Sequence, residues 1–309
     1  MKMNKSLVLE FIFTGLTDKN ELNIPLFILF LHVYITTVLG NIGIIIIIVM
    51  DKRLHKPMYF FLSNLSFVDL TYSSAITPKM LRDFLSETKA ISFTGCAVQM
   101  YVFVSFATIE CLFLGIMAYD RYVAICSPLL YGVLMSSILC FWMAVAAYVV
   151  GFVTALVHTV SLFLLSFCRS NIIDHFFCDL PPLFMLSCSD TSVNLVVLMI
   201  LGGLVSMSCF ILILFSYSKI VLTILRIRSA QGRYKTFNTC TSHMTAVSVF
   251  YGTIFFMYLR PSSSYVLQQD RVASVFYSIL IALLNPFIYS LRNAEMKDAI
   301  KSLLKYFQE

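Results

Sequence analysis

Seven long apolar runs divide this chain, and they constrain its fold more than any other feature. They lie at roughly Ile24–Met50, Pro57–Ile76, Ala97–Tyr122, Ile138–Phe167, Leu195–Leu225, Thr239–Leu259 and Val272–Leu291. Each is near or above the roughly 20 residues that carry a helix across hydrocarbon. Backbone polar groups in lipid must be satisfied within the segment, so runs of this kind are helices. Of 309 residues, 59% are hydrophobic and only 12% are charged, against about 25% charged in a soluble domain. The expected fold is an all-α membrane protein: a seven-transmembrane helix bundle over residues 24–291, after an N-terminal segment 1–23 and before a short tail 292–309. The first run is too long for the core of a cleaved signal peptide and reads as an uncleaved anchor. No repeat of fixed period and no second domain are visible.

Lys and Arg set the expected orientation, because they accumulate in cytoplasmic loops. With residues 1–23 outside, the inner segments collect Lys52, Arg53, Lys56, Arg121, Lys219, Arg226, Arg228, Arg233, Lys235, Arg292, Lys297, Lys301 and Lys305. Only Asp51, Asp120, Glu295, Asp298 and Glu309 oppose them there. The net charge of +6 therefore belongs to the inner face. No basic patch interleaved with aromatics points to nucleic acid. In this topology Asn4-Lys5-Ser6 is an outer sequon and Asn4 an expected glycosylation site. In the tail, Met296, Ile300, Leu303, Leu304 and Phe307 recur at helical spacing with Lys297, Lys301 and Lys305 between them. That pattern predicts a short amphipathic helix lying on membrane lipid.

The nine cysteines divide by depth. Cys111 and Cys209 fall within spans, and Cys126, Cys140 and Cys240 near inner ends, where the cytosol keeps thiols reduced. Cys96, Cys168, Cys178 and Cys188 fall outside, and four cysteines allow three pairings. The long loop "FCRSNIIDHFFCDLPPLFMLSC" reads as a stapled lid. A zinc site combining His175 with these cysteines is the rival, although the spacing fits no usual zinc pattern.

Polar side chains inside the spans are costly and call for a reason. At 1.5 Å per residue, Asp69, Glu110, Asn41 and Asn285 lie roughly 18, 16, 15 and 10 Å from the inner face, in one broad layer. Two carboxylates there either share a proton in a structural hydrogen bond or hold a small hard cation between them. At the inner end of the third span, "MAYDRYVAIC" sets Asp120 beside Arg121. An arginine must be paired or wet. The pair reads either as a latch, from which Arg121 is released when the inner helix ends separate, or as an anchor for the helix.

These residues also resemble a family. "MAYDRYVAIC" is similar to the third-helix signature of olfactory receptors, a branch of the rhodopsin-like G-protein-coupled receptors. The likeness covers the whole chain: Gly40-Asn41 in the first helix, "LHKPMYFFLSNLSFVDL" and "PKML" in the second, "HFFCD" in the long loop, Ser216-Tyr217 in the fifth, "KTFNTCTSH" in the sixth and "NPFIYSLRN" in the seventh. The resemblance implies pairing of Cys96 with Cys178 and of Cys168 with Cys188. It implies a sodium-type site at Asn41, Asp69, Glu110 and Asn285, with the ion between Asp69 and Glu110 and no other cofactor. It implies that Asp120, Arg121, Tyr122, Tyr217, His243 and Tyr289 serve activation and G-protein coupling, and that Tyr251 is the toggle beneath the ligand. The expected protein is a plasma-membrane odorant receptor, not an enzyme, coupled to a stimulatory olfactory-type G protein that raises cyclic AMP. One departure concerns the second inner loop, "SPLLYGVLM" where the family usually resembles "HPLRYPTIM"; the lost positive charge bears on coupling efficiency.

By analogy the ligand site is lined by Met100, Phe103, Val104, Ala107 and Thr108 of the third helix and Leu201, Gly202 and Val205 of the fifth. Tyr251, Ile254, Phe255 and Tyr258 of the sixth and Val275 and Ser278 of the seventh complete it. Phe103 occupies the place where amine receptors carry an aspartate, and the outer halves of these helices hold no counterion. A charged ligand would be costly to bury, so the expected ligand is a small, neutral, largely apolar volatile. His158 reads either as a hydrogen-bonding group at the pocket rim or as an interhelical histidine. The competing functions are a class A receptor for another small neutral ligand and, more distantly, a transporter. Transporters often show internal repeats and paired broken helices, and neither is visible.

Overall fold

The computed structural model describes residues 8–168, 170–258, 267–292 and 294–306. Asn4 lies outside them. Seven long helices follow in order: α1 (Asn23–Met50), α2 (Pro57–Leu85), α3 (Phe93–Cys126), α4 (Ser137–Phe163), α5 (Ser192–Arg226), α6 (Ala230–Tyr258) and α7 (267–292). An eighth, α8 (Ala294–Tyr306), follows. Local chemistry sets their starts. Pro57 occupies the first turn of α2, where its missing N–H costs nothing. Ser92 caps α3 by accepting from the Gly95 amide at 3.0 Å, and Ser136 caps α4 through Leu139 at 3.4 Å.

Two boundaries depart from the apolar runs. α2 continues to Leu85 rather than ending near Ile76, because the segment past the apolar run is itself amphipathic. Lys79 and Asp83 pair one turn apart, while Met80, Leu81 and Phe84 are buried. α4 stops at Phe163, short of Phe167, whose backbone bridges to Ser187 beside the Cys168–Cys188 disulfide.

Among the described residues, five helices are long and apolar enough to cross a membrane: those containing α1, α3, α4, α5 and most of α7. α2 is more polar because it is enclosed, packing on α1, α3, α4 and α7 and burying Ser66, Asp69, Ser73 and Thr77. α3 is the central strut and contacts α2, α4, α5 and α6. The outward faces remain apolar: Leu29, Ile35 and Leu39 on α1, Trp142 and Val153 on α4, and Leu204 and Ile211 on α5 are exposed. Such a face suits hydrocarbon, not water.

Glycine sets two helix approaches. A Cβ at Gly151 of α4 would lie 2.3 Å from Ile109 of α3, so only glycine permits that contact. At Gly40 of α1, a Cβ would stand 3.1 Å from Pro286 of α7. Pro286 has no N–H for the carbonyl four residues back, Ala282. Asn41, the next residue on α1, donates its Nδ2 to that carbonyl at 3.1 Å. Gly40-Asn41 thus fits α1 against the proline in α7.

At one end of the bundle the chain builds a covalently fixed cover, the disulfide end. Strand β1 (Glu10–Phe13) pairs antiparallel with β2 (Ala90–Ser92) and parallel with β3 (Ile172–Ile173), in the order β2-β1-β3. Phe11 and Phe13 are buried in an apolar cluster with Met100, Leu162, Phe167 and Leu183. Disulfides join Cys96 to Cys178 and Cys168 to Cys188. With these four thiols consumed, and His175 Nε2 2.9 Å from Ser274 Oγ, the zinc alternative has no ligand set among the described residues. At the other end, the Asp120 end, Met296 and Ala299 of α8 are buried while Lys297 and Lys301 face outward. Lys56 Nζ reaches Glu295 Oε1 of α8 at 2.7 Å. The side chains of Leu304 and Phe307 lie outside the described residues.

Candidate functional site

A cavity of about 430 Å³ opens among α3, α4, α5 and α6 beneath the disulfide-linked cover, within the usual size range of small-molecule sites. Phe103, Val104, Ala107 and Thr108 of α3, Gly202 and Val205 of α5, and Ile254 and Phe255 of α6 border it. Met100, Leu201, Tyr251, Val275 and Ser278 do not. Met100 is buried in the cluster under the cover. Leu201 is half-buried on α5. Val275 packs into the main core, and Ser278 Oγ donates to Ser274 O within α7. Tyr251 is buried, its hydroxyl 3.1 Å from Cys111 Sγ, and Cys111 itself borders the cavity. The side chain of Tyr258 lies outside the described residues.

The cavity leans toward α4 rather than α7: His158 stands on its wall, as one of the two sequence readings of that residue has it, and Thr154, absent from the lining expected by analogy, stands beside it. Thr154 and His158, one turn apart, face it, and Ser206 and Met207 of α5 and Leu180 of the cover join them. The signal was present in the sequence: Thr154 and His158 are polar at helical spacing in an otherwise apolar span. The cover also brings an acid to the wall, Asp179, whose Oδ1 accepts from the Leu180 amide at 2.8 Å and so caps the short helix Leu180–Leu186. Thr108 and Ser206 donate to the backbone carbonyls of Val104 and Gly202. Among the described lining residues, the buried polar side-chain atom without a hydrogen-bond partner is His158 Nε2.

Asn41, Asp69, Glu110 and Asn285 are all at most 3% exposed. Asn285 Nδ2 donates to Asp69 Oδ2 at 2.9 Å, and Glu110 lies within electrostatic reach of Asp69. Asn41 Oδ1, Asp69 Oδ1 and Glu110 Oε1 have no hydrogen-bond partner. Buried oxygens left in that state are costly, and an all-oxygen donor set carrying two carboxylates suits a hard cation.

At the Asp120 end the acid and the base do not meet. Asp120 is buried and accepts from Tyr131 Oη at 2.8 Å. Among the described residues no ion pair joins it to Arg121. Neighbours in sequence point about 100° apart around a helix, so side chains at i and i+1 do not face each other. Arg121 is half-buried, within electrostatic reach of Asp120 without direct contact and also of Tyr217, His243, Tyr289 and Glu295. Tyr122 packs against Phe215 of α5 at 6.0 Å between ring centres.

His243 of α6 joins three helices. Its Nε2 lies 3.0 Å from the Leu114 carbonyl of α3, and its Nδ1 2.7 Å from Tyr217 Oη of α5. A carbonyl only accepts, so Nε2 carries the proton and Nδ1 accepts from the tyrosine. Tyr289 of α7 is buried nearby with its hydroxyl unpartnered.

Comparison with known proteins agrees with this arrangement. The family model described as olfactory receptor matches residues 30–306. The chain is 54% identical over 303 residues to olfactory receptor 5AR1 of Mus musculus, covering 98% of both chains. It is 54% identical to olfactory receptor 8U9 of Mus musculus, covering 98% of this chain and 96% of that one. Among solved structures, squid rhodopsin shares the fold with a TM-score of 0.73 at 19% identity, covering 92% of this chain and 81% of the other. Matches that span the bundle from end to end, on a seven-helix rhodopsin-like fold, show that this chain belongs to the olfactory receptor family of G-protein-coupled receptors.

Proposed function

We propose that this receptor binds a small, neutral, largely apolar volatile in the cavity between α3, α4, α5 and α6, and answers by activating a stimulatory olfactory-type G protein that raises cyclic AMP. The observation that carries the reading is the cavity: its wall is mostly apolar, and the helices bring no acid or base to it other than His158. Such a site binds chiefly by burying area, at about 25 cal/mol per Å². Asp179 borders it but already satisfies a helix N-terminus. In this reading the disulfide end faces outside, and Arg121, Tyr217 and Tyr289 rearrange at the cytoplasmic face to admit the G protein. Asn41, Asp69, Glu110 and Asn285 form the site of a sodium ion, which would balance two buried carboxylates and hold the resting arrangement. Asn4 carries a glycan, and α8 rests on lipid of the plasma membrane.

The test is the full chain expressed with a cyclic AMP reporter and exposed to a chemically diverse volatile panel, beside Ala107→Trp, which fills the cavity. At least one neutral volatile should raise cyclic AMP, and Ala107→Trp should abolish that response at unchanged surface delivery. A response that survives the filled cavity would place the ligand elsewhere. G-protein activation without a rise in cyclic AMP would reject the stimulatory type.

A further inference from the structure

We infer that His158 is the specificity-determining residue of this cavity, and that the ligand class is an apolar skeleton bearing a single oxygen function, a hydroxyl or a carbonyl, seated against α4 and α5. The inference rests on the cavity reading above and adds the chemistry and the place of its polar contact.

His158 is only 3% exposed and borders the cavity, and its buried Nε2 has no protein partner. A buried polar atom left in this state is costly. The other hydroxyls of α3 and α5 on the wall already donate to their own helices. An apolar ligand would perpetuate the cost at Nε2, whereas a ligand oxygen would relieve it. A neutral imidazole presents each ring nitrogen as an N–H or a lone pair. Nε2 therefore donates to a carbonyl or exchanges roles with a hydroxyl.

The neighbouring wall carries no side chain at that point. A Cβ at Gly202 of α5 would lie 3.9 Å from His158 Nε2 and 3.6 Å from Leu198 Cδ1. Glycine thus sets no side chain against the ring nitrogen, whereas an alanine methyl fits there in ordinary contact and covers it. Gly202 closes a π-helical turn, Leu198–Gly202, in α5; turns of this kind often mark functional sites. Leu198 and Val205 beside this corner are aliphatic and the Ser206 hydroxyl is engaged with Gly202, so the oxygen-bearing end is fixed at His158 while the skeleton lies toward Phe103 and Phe255.

The experiment uses the purified full chain in detergent and two matched series: octane, 1-octanol and octanal, and limonene, carveol and carvone. To these is added any active compound from the volatile panel with its oxygen-free counterpart. Affinity is read from ligand-induced thermal stabilisation. The wild type should bind oxygenated members about tenfold more tightly than the matched hydrocarbons, the ratio that about 1.4 kcal/mol supplies. His158→Leu should bring that ratio to about one while leaving hydrocarbon affinity in place, and His158→Gln, which keeps a hydrogen-bonding atom near Nε2, should restore part of it. Gly202→Ala should lower the ratio without lowering the stability of the free receptor. Equal affinity for hydrocarbon and oxygenate in the wild type, or a ratio unmoved by His158→Leu, would overturn the inference with the cavity intact. Binding or signalling indifferent to Ala107→Trp would instead remove the cavity reading beneath it.

Discussion

The two ends of the bundle are held by different kinds of force. At the disulfide end, two covalent bonds, a three-stranded sheet and ion pairs tie residues far apart in sequence. Arg271 of α7 meets both Asp174 and Asp18 there. At the Asp120 end the ties between elements are noncovalent polar contacts, among them Tyr131 to Asp120, Cys126 to Thr223, Tyr217 through His243 to Leu114, and the ion pair of Lys56 with Glu295, which Tyr59 joins. Each net hydrogen bond is worth about 0.5–1.5 kcal/mol, and exposed ion pairs less. In the proposed reading, one end keeps its shape around a ligand, and the other exchanges a few weak contacts when the helices shift. The polar layer at Asp69 and Glu110 lies between them, with oxygens still unsatisfied.

The strongest way to break this contrast is at the covalent end. Cys96 and Cys178 are 82 residues apart in sequence, and loop-closure entropy assigns such a bridge about 4.5 kcal/mol. Cys96→Ser or Cys178→Ser should abolish surface delivery. Cys168→Ser, which opens a loop of separation 20, should reduce delivery less, in line with about 3 kcal/mol. Normal delivery of the Cys96 variant would show that the sheet and apolar cluster suffice to hold the cover.

At the weak end the largest effect should fall on signalling rather than stability. Arg121 is half-buried and makes no ion pair with Asp120, so Arg121→Ala should abolish agonist-driven cyclic AMP while surface delivery stays largely intact. Undiminished signalling would reject its role in coupling. His243→Phe should act in the opposite direction. It removes two bonds that tie α6 to α3 and α5 and leaves the Leu114 carbonyl and Tyr217 hydroxyl to find new partners. Basal cyclic AMP should rise, with about 2 kcal/mol lost from the resting state. Unchanged basal activity would show that apolar packing alone holds α6.

The same contrast explains what could be read from the residues alone. The bundle was legible because hydrocarbon thickness is a length, and seven runs match it. The depth of Asp69, Glu110, Asn41 and Asn285 was legible because helical rise is constant. Contacts between neighbours in sequence were not: Asp120 beside Arg121 in the chain suggests a pair, yet the helix turns them apart and Tyr131 takes the carboxylate. The extent of the cavity was not legible either. Thr154 and His158 mark a polar stripe on α4, but which residues border one cavity depends on how four helices meet, and that is not a property of one helix. The cover was read as a stapled lid, but the burial of Phe11 and Phe13 beneath it could not be seen. Four residues of alternating pattern are too few to reveal a strand whose partners lie about 80 and 160 positions away.

The smallest predicted effect tests whether the disulfide end is as closed as its bonds imply. His175 lies in the cover, fully enclosed, beside Phe176, Phe177 and Ser274. Burial, reinforced by the nearby Arg271 charge and opposed by Asp174, pulls its ring from 6.5 down to about 3. The unfolded chain takes up a proton near pH 6.5, while the folded one refuses it until about pH 3. Stability is therefore fully present above pH 6.5 and declines as pH falls through that window. At pH 5 the loss relative to pH 7.5 is about 2 kcal/mol from this group. Thermal unfolding of the purified receptor across that range should fall more steeply for the wild type than for His175→Gln, since every other group is common to both. Parallel slopes would mean that water reaches His175, and the cover would then be a door rather than a wall.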